Sequence, residues 1–191
     1  MPDNLQYGRG KRRNGWRLAA WATAAALFLL PWVAMQITDQ VAWDAADFAF
    51  FAALLVGAGV AYELTASVSG SKTYRAATAI ALAAAFILVW MNAAVGLIGS
   101  EDNPANLLFF GVLAVGIVGA LIARFRPHGM AHTLFAMALA QALIAVVAMV
   151  AGWGVPASGP LELAALNGFF VALWLLSAWL FRKAAREPAY M

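Results

Sequence analysis

The sequence predicts an all-α polytopic membrane fold: six transmembrane helices in an antiparallel bundle, with both termini cytoplasmic. Three observations carry this reading. The 191 residues are 64% hydrophobic and only 11% charged, with a mean hydropathy of +0.80, whereas soluble domains are about 25% charged. A chain this short cannot hide so much apolar side chain inside a water-soluble core. Six apolar segments approach the roughly 20 residues needed to cross a hydrocarbon core. All twelve Lys and Arg then fall on one side of the resulting topology, and an excess of Lys and Arg in short loops marks the cytoplasmic face.

Taken in order, residues 1–15 form a basic cytoplasmic tail carrying Arg9, Lys11, Arg12 and Arg13, with Arg17 close behind. The apolar run from Leu18 to Ile37 exceeds the roughly 7–15 residues of a secretory h-region, and no small-x-small site closes it. It therefore reads as a retained first helix, 16–38. Helices 2 to 6 follow at about 46–68, 74–99, 106–125, 130–153 and 161–181, and together they make a single transmembrane domain, 16–181. Residues 182–191 form a cytoplasmic tail. Short connections make successive helices antiparallel neighbours.

Lys72 and Arg75 lie between helices 2 and 3, Arg124 and Arg126 between helices 4 and 5, and Arg182, Lys183 and Arg186 after helix 6. The opposite loops hold Asp39, Asp44, Asp47, Glu101, Asp102 and Glu162. Trp16, Trp32, Trp43, Trp153 and Trp179 fall near the expected interfaces, where an amphipathic ring suits headgroup depth. Gly57, Gly59, Gly96, Gly111, Gly116 and Gly119 are expected to let helix backbones approach in lipid. A faint echo relates 51–57 to 110–116, each ending in Val-Gly before a basic loop. Ala- and Gly-rich sequence produces such matches readily, so it carries no weight.

Several chemistries find no support. With no cysteine, disulfides, thiolate metal sites and cysteine nucleophiles are excluded. There is no Walker loop, dinucleotide fingerprint or G-x-S-x-G elbow, so no cofactor is implied and the balance leans away from an enzyme. Topology explains the basic residues better than nucleic acid does. His128 and His132 are four apart, yet two histidines without further ligands make no zinc site, and no metal is assigned. Pro127 and Gly129 suggest that His128 lies in a loop, and a headgroup contact suits the pair.

The most distinctive stretch runs from Trp90 through Asn92, Gly96 and Gly99 to Glu101, Asp102, Asn103, Pro104 and Asn106. Clustered oxygens suit hard cations. With Asp47 and Asn167, the residues Asn92, Glu101, Asp102, Asn103 and Asn106 form a candidate outward-facing ion or ligand site. Helix capping competes with that reading. Asn103 with Pro104 is a good start for helix 4, Asp44 with Asp47 resembles a capping box, and Pro160 with Glu162 suits the start of helix 6. Asn92 and Asn167, with Gln36 nearby, could form a polar layer or simply satisfy one another between helices. On the inner side, Glu63 is an intramembrane acid, a functional candidate by default. Pairing with Arg75, Arg124 or Arg17 is the structural alternative, and His132 joins Glu63, Arg75 and Arg124 as an inner-side candidate. Gln141, in mid-helix 5, could line a cavity or bond a neighbouring helix.

The run from Trp90 to Asn106, with Tyr62-Glu63-Leu64 and the segment from Arg124 to Met130, resembles a family of small multi-pass bacterial inner-membrane proteins of uncharacterised activity. The resemblance covers most of helices 2 to 5 and implies a bacterial plasma-membrane setting, with no activity or site residue attached. Two functional readings stand ahead of a third, a membrane enzyme acting on lipids, for which no nucleophile or metal site is recognisable. One is a non-enzymatic accessory protein whose outer acidic and amide groups bind an ion, lipid or partner. The other is a small transporter or channel with a polar path through the bundle. The bilayer is the expected partner, with a homo-oligomer or a second membrane protein also open.

Overall fold

The computed structural model describes residues 4–38 and 41–187, with side chains described at Leu18 and from Trp21 onward. Among these residues the fold is entirely helical, with no strand. The helices are α1 (Asn4–Met35), α2 (Ala45–Val68), α3 (Lys72–Ala94), α4 (Leu108–Ala123), α5 (Pro127–Ala151) and α6 (Pro160–Ala184). A single 3-10 turn, Pro104–Leu107, leads into α4. Five helices, α2 to α6, are long and apolar enough to cross a membrane, α4 together with its 3-10 turn. The apolar stretch described in α1, Trp21–Met35, is shorter.

Helix ends follow local chemistry. The helix expected at 16–38 begins at Asn4, so the basic tail is helical from that point. Its Leu, Gln, Arg and Lys are good helix formers, and no proline interrupts them before Pro31. α3 stops at Ala94, short of the expected 99. Gly96 and Gly99 adopt φ of +73° and +72°, a left-handed conformation in which only glycine is unstrained. α5 starts at Pro127, where a missing N–H costs nothing. His128 thus lies in its first turn rather than in a loop.

The chain divides into two units, Met1–Gly59 and Val60–Met191. In the first, Asp44 Oδ1 accepts hydrogen bonds from the amides of Ala46 (2.7 Å) and Asp47 (3.0 Å), and Asp47 Oδ2 accepts from Asp44 N at 3.0 Å. This is the reciprocal cap of α2 expected from sequence, closed by Asp rather than Glu. Trp43 stands edge-on to Phe48 and Phe51, with ring centroids 5.3 and 5.4 Å apart. The Trp21 ring lies where a Gly59 side chain would be, 2.9 Å from an added Cβ.

In the second unit, α6 packs against α3 and α5, and α5 packs against α4. α3 and α4 touch only sparingly. The core holds Trp174, Tyr74, Phe109, Phe170, Phe181 and Leu88. Close approach of α4 and α5 depends on glycine: a Cβ at Gly116 would lie 2.8 Å from Met137 Sδ, and one at Gly119 2.5 Å from Thr133 Cγ2. Gly57 and Gly111 face open space. Outward faces are apolar, with Ile122 and Val150 exposed by 78% and 85%. Burying a side chain of this kind is worth about 1.5–3 kcal/mol, so such a surface calls for an apolar solvent. An apolar bundle of this kind fits a multi-pass membrane protein.

Candidate functional site

At the end where α3 meets α4, Asn106 organises the connection. Its Oδ1 accepts hydrogen bonds from Leu97 N (3.0 Å) and Ile98 N (2.9 Å), and its Nδ2 donates to Ser100 O at 2.7 Å. Asn92 Nδ2 donates to Asn106 O at 3.1 Å. Asn103 Oδ1 accepts from Ala105 N (3.0 Å), as an N-cap does, while its Nδ2 reaches Trp153 O of the α5–α6 connection at 2.8 Å. The structure thus brings three expected amides together, and each is engaged with backbone. Leu97 and Ile98 are pulled into the core as a result. Glu101 and Asp102 stand exposed on the turn.

Asn167 has a different partner. Its Oδ1 accepts from Gln141 Nε2 at 2.8 Å, and its Nδ2 donates to Leu163 O at 3.0 Å. This buried pair joins α5 to α6, so Asn167 meets Gln141, while Asn92, the amide grouped with it from sequence, bonds Asn106 O instead. Asn92 Oδ1 and Gln141 Oε1 remain buried without a hydrogen-bond partner among the described residues. Asp47 is exposed in the first unit, where it serves the cap of α2. Gln36 is exposed too, and donates to Trp32 O at 3.4 Å.

The opposite end of the second unit holds the remaining candidates. Arg75 and Glu63 are half-buried, while Arg124 and His132 are exposed. Arg124 and Phe125 end α4 in the left-handed region, at φ of 50° and 57°. His128 and His132 meet edge-to-face at 4.6 Å, and among the described residues no three His, Cys, Asp or Glu converge on a metal position.

Glu187 was missed from sequence, where it was only a tail residue. Its carboxylate accepts hydrogen bonds from Ser71 Oγ (2.6 Å) and Thr73 Oγ1. Those hydroxyls, Ser71 first, hold the carboxyl below the usual range, with help from Lys183 and against partial desolvation. Ser71 also caps α3, accepting from Tyr74 N at 3.1 Å. Tyr74 Oη donates to Phe125 O at 2.9 Å, and Ser177 Oγ to Ala77 O at 2.9 Å. The start of α3 is therefore tied to both α4 and α6. None of these ties was read from the sequence: a serine ahead of an expected helix is a local capping signal, but a bond across more than a hundred residues leaves no local pattern.

The sequence also gave no sign of a cavity of about 390 Å³ on the α3–α4 side of this unit. Trp174 and Phe181 of α6 form its floor, and Thr78 and Ala85 of α3, Leu113 of α4 and Met137 of α5 stand among its walls. Ala61 and Thr65 border it from α2. It exists because Ala81, Ala85, Gly116 and Ala120 leave space between helices that touch little elsewhere. Among the described residues no charged side chain lines it. Ile117 and Leu121 border it while remaining exposed, so the cavity is open to the side.

No family model, curated protein or solved structure matches this chain. Function must be argued from these groups alone. A volume of this size falls within the range of small-molecule pockets, roughly 300–1,000 Å³, and its described lining is mostly apolar.

Proposed function

We propose that this chain is a non-enzymatic, six-span protein of the bacterial inner membrane that binds an apolar, membrane-derived ligand as an accessory protein. The cavity beside α3 and α4 carries the reading: it is roomy, laterally open and, among the described residues, lined without a charge. Segregation of Lys and Arg supports cytoplasmic termini, and the resemblance of residues 90–106 supports the bacterial setting. The acidic and amide candidates at the other end lend less, since Asn92, Asn103 and Asn106 are engaged with backbone. A polar transport path loses support too, with Asn167 Oδ1 taken up by Gln141 and its Nδ2 by the backbone.

Ala81→Leu narrows the cavity from one wall. Purified in mild detergent, the wild-type chain is expected to carry co-extracted lipid or another apolar molecule, and the variant several-fold less. Equal retention by a folded variant rules this function out.

A further inference from the structure

We propose that the occupant is an anionic glycerophospholipid, with one acyl chain in the cavity and its phosphate over Arg75, Arg124 and Arg126. This rests on the preceding reading, that the cavity takes a membrane-derived ligand. The cavity runs from Thr78 to Ala85 on α3 and from Met130 to Met137 on α5, each about 10 Å at helical rise. One leaflet contributes about 15 Å of hydrocarbon. The cavity therefore matches the inner stretch of a single chain and does not span the bilayer.

Position and charge select the headgroup. Phe125 lies at the loop end of the cavity wall, and its sequence neighbours are Arg124 and Arg126, both exposed. Arg75 precedes Thr78 by one helical turn, on the same face of α3. Arg124 and Arg126 are both exposed at this end, and Arg75 is half-buried. Arginine offers phosphate a planar, bidentate set of donors, and basic pockets between helices on the cytoplasmic side suit anionic headgroups. An apolar slot whose loop end is flanked by Arg124 and Arg126, with Arg75 one turn before Thr78, is complementary to one amphiphile with an anionic head.

Native mass spectrometry of the full-length chain, exchanged into detergent with added phosphatidylglycerol or phosphatidylethanolamine, tests this. One phosphatidylglycerol is expected to be retained about ten-fold more strongly than phosphatidylethanolamine. Arg124→Gln with Arg126→Gln should abolish that preference and leave phosphatidylethanolamine retention unchanged. Arg182→Gln with Lys183→Gln removes equal charge from α6 and should leave the preference intact. Equal retention of the two lipids by the wild-type chain, with both lost in Ala81→Leu, overturns the headgroup assignment and leaves the cavity reading standing. Equal loss of preference in the two charge variants also overturns it, because net charge then accounts for binding. If Ala81→Leu retains both lipids as the wild type does, the cavity reading itself has failed. Circular dichroism and monodisperse elution establish that each variant is folded.

Discussion

Asn106 replaces several groups of a helix turn with one side chain. Its amide accepts from two consecutive backbone N–H groups and donates to a carbonyl, in a position that is 4% exposed. Leaving a buried donor unsatisfied costs about 1–3 kcal/mol. Asn106→Ala should therefore lower unfolding free energy by about 2–5 kcal/mol, since two donors lose their acceptor. Asp102→Asn, on the exposed turn, should change it by less than about 0.5 kcal/mol. Denaturant titration in detergent compares the two, and equal effects would mean that Asn106 does not hold the loop.

Glu187 gives the residue scale a pH signature. Its folded carboxyl is held below the ordinary value of 4.5 by Ser71, Thr73 and Lys183. A lowered folded value means that the stabilisation is complete above the unfolded pKa and is lost as pH falls through the folded one. The contribution is thus present at neutral pH and disappears below about pH 4.5. Melting curves between pH 7 and pH 3 should show Glu187→Gln less stable than wild type at pH 7, with the difference closing on acidification. A gap independent of pH would remove the carboxylate from the explanation.

Elements differ in what their small residues do. Gly116 and Gly119 admit α5 side chains that a Cβ would strike, whereas Gly111 on the same helix meets nothing within 4 Å. Gly119→Ala should cost about 1–3 kcal/mol by overpacking. Gly111→Ala should stabilise by up to about 1 kcal/mol through helix propensity. Thermal melts in detergent should move in opposite directions, and a shared direction would place the α4–α5 contact elsewhere. The same comparison weakens the echo between 51–57 and 110–116. Gly116 is packed and Gly57 open, while Phe51 is buried and Phe110 exposed.

Much at this scale was legible in the sequence. The Asp44–Asp47 cap and the Asn103–Pro104 start are local patterns, and both form, although the second opens the 3-10 turn ahead of α4 rather than α4 itself. The early end of α3 was not, because apolar composition continues through Leu97 and Ile98 while the backbone leaves the helix at Gly96. Hydropathy reports where a segment is apolar, and it does not report φ.

At the scale of the whole molecule, topology is the first matter to test, and the absence of cysteine makes it accessible. Single Asp102→Cys and Arg186→Cys variants, treated in intact cells with an impermeant maleimide, should label at position 102 only. Labelling of position 186 without permeabilisation would invert the proposed orientation. The cavity is a feature of this scale too, since it depends on how the Ala and Gly faces of α3 and α4 meet over Trp174 and Phe181 of α6, and no single helix contains it.

Composition and charge spacing by themselves determined an all-helical, apolar chain with its helix segments and several of its caps. These are properties of a local stretch against its solvent, so one dimension suffices to read them. Only the tertiary structure decided how the polar residues are used. It paired Gln141 with Asn167, engaged Asn92, Asn103 and Asn106 with backbone, and brought Glu187 to Ser71 and Thr73. It also left open the cavity beside α3 and α4. A helical period names the face on which a side chain stands. The partner that satisfies it belongs to another helix, and sequence spacing carries no distance between the two.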